Sequence, residues 1–240
     1  MPAGDAETDT TGLMKRARLT GALYIPYVIA SVPLSLRTAL IVPSDPAATA
    51  AHIQASETLY RATLVTDLLG YAIYIALAYL LYTLLRTVSR SWAAVSLLFT
   101  LAGCFVLIVA TVIPVVPLLL LAGGFPHAMP LPDRQELALL SLKLYSQGYG
   151  MALFFFGAQW LIMGPLFALS RLVPPPIGWL LAAGGVGWLA LSACTLIAPP
   201  FAVAIRGGVM AVGALAEFAL GAWLIIRGVN TSALQRSASL

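Results

Sequence analysis

Apolar residues run along this chain in six blocks, 19–36, 62–85, 92–121, 144–170, 177–197 and 207–226, each of at least eighteen residues. Crossing a hydrocarbon core about 30 Å thick takes about 20 residues of helix. The alternation expected of barrel strands is absent, and an isolated strand cannot satisfy its backbone in lipid, so all six blocks are predicted helices. The third block is longer than a span requires and contains Pro114 and Pro117, which predicts a kink or an end that turns back along the interface. Residues 136–143 extend the fourth block outward as the same helix. The pattern predicts an all-α, polytopic membrane helix bundle of about six transmembrane helices.

Between the first two blocks, "IVPSDPAATAAHIQASETLYR" supplies Ser44 or Asp45 as an N-cap and Pro46 at the first helical turn. A short interfacial helix on the outer surface is predicted. It either closes the loop or forms a lid over a cavity that opens outward. The polar, acidic stretch 1–14 and the tail 231–240 have the composition of disordered segments, leaving 15–230 as a single transmembrane domain.

Composition sharpens the class. The chain is 60% hydrophobic and 9% charged, with a mean hydropathy of +0.94; soluble domains carry roughly 25% charged residues. The net charge of +4 is a topology signal. With six spans both termini share a side, and that side carries Lys15, Arg16, Arg18, Arg86, Arg90, Arg171, Arg227 and Arg236. The other carries Arg37, Arg61, Arg134, Lys143 and Arg206. Eight against five predicts cytoplasmic termini and a multi-pass protein of the inner (plasma) membrane. The basic residues read as anchors at lipid headgroups, so the bilayer is the expected partner and nucleic acid is not. The first block, preceded by "KRAR", is read as a retained span, because the run is long, a 14-residue tail lies ahead of the basic residues and no convincing small-x-small cleavage site follows it.

Little familiar chemistry is present. Cys104 and Cys194 have no CxxC spacing and read as small packing residues; His52 and His127 are united by no spacing, so no metal and no cofactor is expected. No phosphate loop, GxSxG elbow or HExxH occurs, and no three-helix repeat suggests an inverted-repeat transporter.

What remains is a set of polar groups inside the blocks. Asp67 interrupts the second block with no basic residue near it in that run, and Tyr71, Tyr74 and Tyr82 follow at offsets that fall near one helical face. Glu217 sits in the middle of the sixth block with Gly213 and Gly221 one turn either way, spacing that admits another helix or a ligand. Lys143, Tyr145 and Gln147 open the fourth block and Gln159 lies deeper within it. A charge at the bilayer centre costs about 2.5–3.5 kcal/mol on insertion scales, and such groups face a bundle interior or water. Two carboxyls, far apart in sequence, predict an inner polar cavity. The plainer alternative is an interhelical hydrogen bond that serves only assembly.

The segments "RLTGALYIPYVIAS", "VPSDPAATAAHIQASETLYRATLVTDLL", "FGAQWLIMGPLFALSRLVPPPIGWLLAAGGVGWL" and "GALAEFALGAWLIIRGVN" resemble a bacterial family catalogued as domain of unknown function 4386. The likeness covers roughly residues 15 to 230. Its sharpest pieces are the ATAAHIQASE loop and the phrase Glu217, Leu220, Trp223, Leu224, Ile225, Ile226 and Gly228. The resemblance implies a small multi-pass membrane protein and no agreed reaction. Apart from Glu217 in that phrase, no catalytic residue is carried over.

Three functions fit such a cavity. The first is a membrane protein holding a small apolar or lipid-like ligand, with Asp67 and Glu217 as its acids and Tyr71, Tyr74, Lys143, Tyr145, Gln147, Gln159 and Trp223 lining it. The second is an isoprenoid or lipid cyclase or isomerase in which these carboxylic acids donate a proton; small membrane terpene cyclases are similar in size and in carrying an early and a late intramembrane carboxyl. The third is a proton-coupled small-molecule transporter, for which a homodimer would supply the missing second half.

Overall fold

The computed structural model describes residues 3–122 and 129–230, with side chains from Thr11 onward. The expectations for His127 and for the tail 231–240 lie outside the described residues. All regular structure among those residues is helical, in the order α1 (Ala3–Ala39), α2 (Pro46–Ala55), α3 (Glu57–Leu85), α4 (Arg90–Ala110), α5 (Val116–Leu121), α6 (Leu131–Ser170), α7 (Pro175–Ile197) and α8 (Pro199–Ile226). Counting α4 and α5 together, six helices are long and apolar enough to cross a membrane.

The helix limits follow local chemistry. Asp45 caps α2 by accepting the Ala48 N–H at 2.9 Å, and Pro46 occupies the first turn, where a missing N–H costs nothing. Pro114 cannot continue the ladder of α4, so the helix stops at Ala110, tightens into a 3-10 turn at Ile113–Val115 and resumes as α5. The Pro114 carbonyl accepts the buried Tyr60 hydroxyl at 2.7 Å, which fastens this kink to α3. Arg171 ends α6 with a left-handed backbone, and Pro174–Pro175 then start α7. At the end of α8, Gly228 adopts φ +70°, which ordinary side chains resist.

Two limits differ from the patterning. Helix α1 begins at Ala3, inside the stretch whose composition predicts disorder; a helix nucleated in the apolar block extends outward through Ala and Glu at little cost. It also continues to Ala39, which moves Arg37 from the outer loop, where hydropathy places it, into the helix.

Helix α6 is the central post of the bundle, packed against α4, α5 and α7. Its approach to α7 is set by glycine. A Cβ on Gly164 would stand 2.6 Å from the Gly178 carbonyl oxygen, and one on Gly157 would stand 2.8 Å from that of Gly185. With no hydrophobic force between helices in lipid, close backbone contact of this kind is what holds them. Within this seam the rings of Trp160 and Trp188 pack with centroids 4.0 Å apart and planes inclined at 34°. A smaller core of Ile53, Tyr60, Leu118 and Leu142 seals the end of the bundle where α2 lies.

Candidate functional site

Asp67 is not a lone carboxyl. Its Oδ2 lies 2.6 Å from Nη1 of Arg37, and both side chains are buried, Arg37 at 1% and Asp67 at 5% exposure. Arg37 reaches Asp67 because α1 runs three residues beyond its apolar block. Thr63 Oγ1 also accepts from Arg37 Nη1, at 3.4 Å. The guanidinium lies 5.0 Å from the centre of the Tyr145 ring, and the Tyr145 and Tyr71 hydroxyls are 3.3 Å apart. This cluster joins α1, α3 and α6. It corrects the expectation of an acid buried without a cation: the cation comes from a neighbouring helix.

Glu217, on α8, stands in contrast. Among the described residues it makes no hydrogen bond and no ion pair. The groups that sense its charge are the phenols Tyr24 and Tyr27 on α1, Tyr74 on α3 and Tyr149 on α6. The flanking glycines receive aromatic side chains: a Cβ on Gly213 would meet Trp188 at 3.0 Å, and one on Gly221 would meet Tyr24 at 3.1 Å.

Asp67 and Glu217 line one cavity of about 550 Å³, walled by α1, α3, α4, α6, α7 and α8. They lie at different depths. Tyr74, at the level of Glu217, is seven residues along α3 from Asp67, about 10 Å at helical rise. The wall between them is aromatic. Tyr27 and Tyr74 have centroids 4.8 Å apart, Tyr74 meets Phe156 edge-on at 5.5 Å, and Phe156 meets Trp188 at 6.4 Å. The indole Nε1 of Trp188 is buried with no hydrogen-bond partner among the described residues.

The cavity reaches the bilayer-facing surface. Ser31 and Ser35 of α1 and Ala214 of α8 line it and are themselves exposed. Helices α1 and α8 touch closely at one end, where a Cβ on Gly21 would come within 2.6 Å of the Ile225 nitrogen. Beyond that contact the cavity lies between them. The serines turn their hydroxyls back to the carbonyls of Val28 and Val32, at 2.7 and 2.6 Å, which leaves the opening largely apolar.

The expected site residues separate. Asp67, Glu217, Tyr71 and Tyr74 line the cavity. Tyr145 belongs to the Arg37–Asp67 cluster, and Gln159, buried behind the wall, accepts the Tyr74 hydroxyl at 3.4 Å. Lys143 and Gln147 are exposed and outside the cavity, because each is two residues, about 200° of helix, from the inward-facing Tyr145. Trp223 packs half-buried against the core and does not line the cavity. Helix α2 contributes nothing to the cavity wall. Sequence reasoning missed Arg37, Tyr27, Tyr149, Phe156 and Trp188. Of these only Tyr149 carried a signal, its position one turn after Tyr145. Among the described residues no cluster of metal-binding side chains occurs.

The helices define a polytopic helical membrane protein. Residues 19–228 match the family described as domain of unknown function (DUF4386), and the chain belongs to it. No curated protein and no solved structure matches the chain.

Proposed function

We propose that this protein sits in the inner (plasma) membrane with both termini cytoplasmic and takes a small, largely apolar or lipid-like ligand into its intramembrane cavity. The observation that carries this reading is a cavity of about 550 Å³ whose largely apolar wall also holds two carboxyls and which lies between α1 and α8. Ligand sites are typically about 300–1,000 Å³, mostly apolar, with a few polar groups that orient the occupant. The Arg37–Asp67 contact supports the orientation as well: with Arg37 paired inside the bundle, four basic residues instead of five remain on the outer side, against eight on the inner.

The test is native mass spectrometry of the protein extracted with its surrounding lipid. Wild type is expected to carry a bound molecule of a few hundred daltons. Ala214→Trp, which fills the cavity from an exposed position, is expected to melt normally and to carry none. Equal occupancy of both proteins would refute the reading.

A second reading, an isoprenoid cyclase or isomerase, is favoured by one observation, the unpaired Glu217 beside an aromatic wall. The Glu217 carboxyl would transfer its proton to an alkene carbon, the aromatic faces would stabilise the carbocation, and loss of a proton would restore the acid. Asp67 has no comparable role in it, since Arg37 already holds its charge. Product analysis with isoprenoid substrates tests it, with Glu217→Gln expected to abolish turnover; absence of any product from wild type would sink it.

A further inference from the structure

The two carboxyls of the cavity differ in what they lack. Asp67 has Arg37, and the pair is neutral together. Glu217 has no cation: facing it are Tyr24 and Tyr27 from α1, Tyr74 from α3 and Tyr149 from α6, all phenols, while α7 presents the indole of Trp188. Asp67 is the other acid in the cavity and lies about 10 Å along α3 from Tyr74. On α8 itself the flanking charges are both exposed and distant: Arg206, eleven residues or about 16 Å before Glu217, and Arg227 at the C-cap, ten residues or about 15 Å after it. A half-buried carboxyl in this largely apolar cavity either keeps its proton or receives a cation from outside. The wall beside it, Tyr27, Tyr74, Phe156 and Trp188 in successive ring contact, offers the π faces that attract organic cations. The opening between α1 and α8 faces lipid, where an amphipathic molecule is already concentrated.

We propose that the ligand of this cavity is an amphipathic organic cation, a hydrophobic amine or ammonium, which enters from the bilayer and displaces the proton of Glu217. This rests on the ligand-binding reading above and narrows it from an apolar to a cationic occupant. The hydrophobic body occupies the space between the aromatic wall and Met210, and the charge lies against Glu217. One proton is released to solvent for each cation bound, so the affinity rises with pH.

Tetraphenylphosphonium is the probe, and triphenylphosphine oxide, neutral and similarly aromatic, is its control. Binding to the full chain in detergent is followed by Trp fluorescence from pH 6 to 8, and proton release is measured in weak buffer. The expected result is cation affinity rising by up to about tenfold per pH unit, with one proton released. Glu217→Gln is expected to lose more than about tenfold in affinity and all of the pH dependence, because it removes the carboxylate that would face the bound cation and the proton it would release. Glu217→Asp, which keeps the charge, is expected to retain both. If Glu217→Gln fails to fold, the pH slope and proton release of wild type decide alone. Equal binding of the neutral control, or cation binding without proton release, would overturn the cationic ligand and leave the cavity reading intact. If neither probe binds, the cationic proposal fails, and occupancy of wild type against Ala214→Trp still judges the cavity separately.

Discussion

Replacing Arg37 by Leu removes the cation from a pair whose members are 1% and 5% exposed and 2.6 Å apart. Asp67 would then be a buried carboxyl with no opposite charge, and breaking such a pair from one side typically costs about 3–5 kcal/mol. The lost contact of the guanidinium with the Tyr145 ring adds about 0.5–2 kcal/mol. Asp67→Leu leaves the opposite orphan, a guanidinium whose Nη2 already lacks a hydrogen bond. The double variant removes both charges, and apolar replacement of a whole buried pair is often neutral or stabilising by about 1–4 kcal/mol. The expected pattern is two strongly destabilised single variants and a double variant close to wild type, read by unfolding of the purified protein in detergent. An Arg37→Leu variant as stable as wild type, or a double variant as poor as the sum of the singles, would refute the pairing and return Asp67 to the status of an unpaired acid.

Glu217→Gln should fold and melt like wild type, since no bond is lost when the carboxyl becomes an amide; a large drop in melting temperature would mean that Glu217 serves assembly. Gly164→Ala should lose about 1–3 kcal/mol, because its Cβ would meet the Gly178 oxygen and the Ala182 nitrogen, backbone atoms that cannot step aside. Gly207→Ala, with nothing within 4 Å, should be neutral or gain about 0.5–1 kcal/mol on the same assay. Reporter fusions after Arg90 and Arg171 should be cytoplasmic and one near His127 external; the reverse at all three would invert the orientation.

The six spans were legible because hydrocarbon thickness imposes a length that hydropathy reports directly. The cap at Asp45 and the break at Pro114 were legible because each rests on one residue's backbone chemistry. Arg37 was not, because it directly follows the last apolar residue of its block, where a charge reads as the start of the loop. Helix α1 continues past that point to Ala39, and Asp67, on another helix, compensates the charge it carries inward. Lys143 and Gln147 were misplaced for a related reason: proximity in sequence to Tyr145 puts them on the opposite helical face. Glu217 and its glycines stood out, yet nothing local says that Trp188 and Tyr24 fill the spaces those glycines leave. Pairings between distant helices are set by the packed bundle, and a single chain read from end to end does not display them.

The asymmetry between the two carboxyls is the centre of the account, and a lipid-soluble carbodiimide probes it directly. The reagent adds to an accessible, unpaired carboxyl in an apolar site and leaves a stable mass label on that residue. Treated in membranes and digested, the protein should show the label on the peptide containing Glu217 and not on the one containing Asp67, and Ala214→Trp should protect Glu217. Equal labelling of both carboxyls, or labelling of Asp67 alone, would contradict the account.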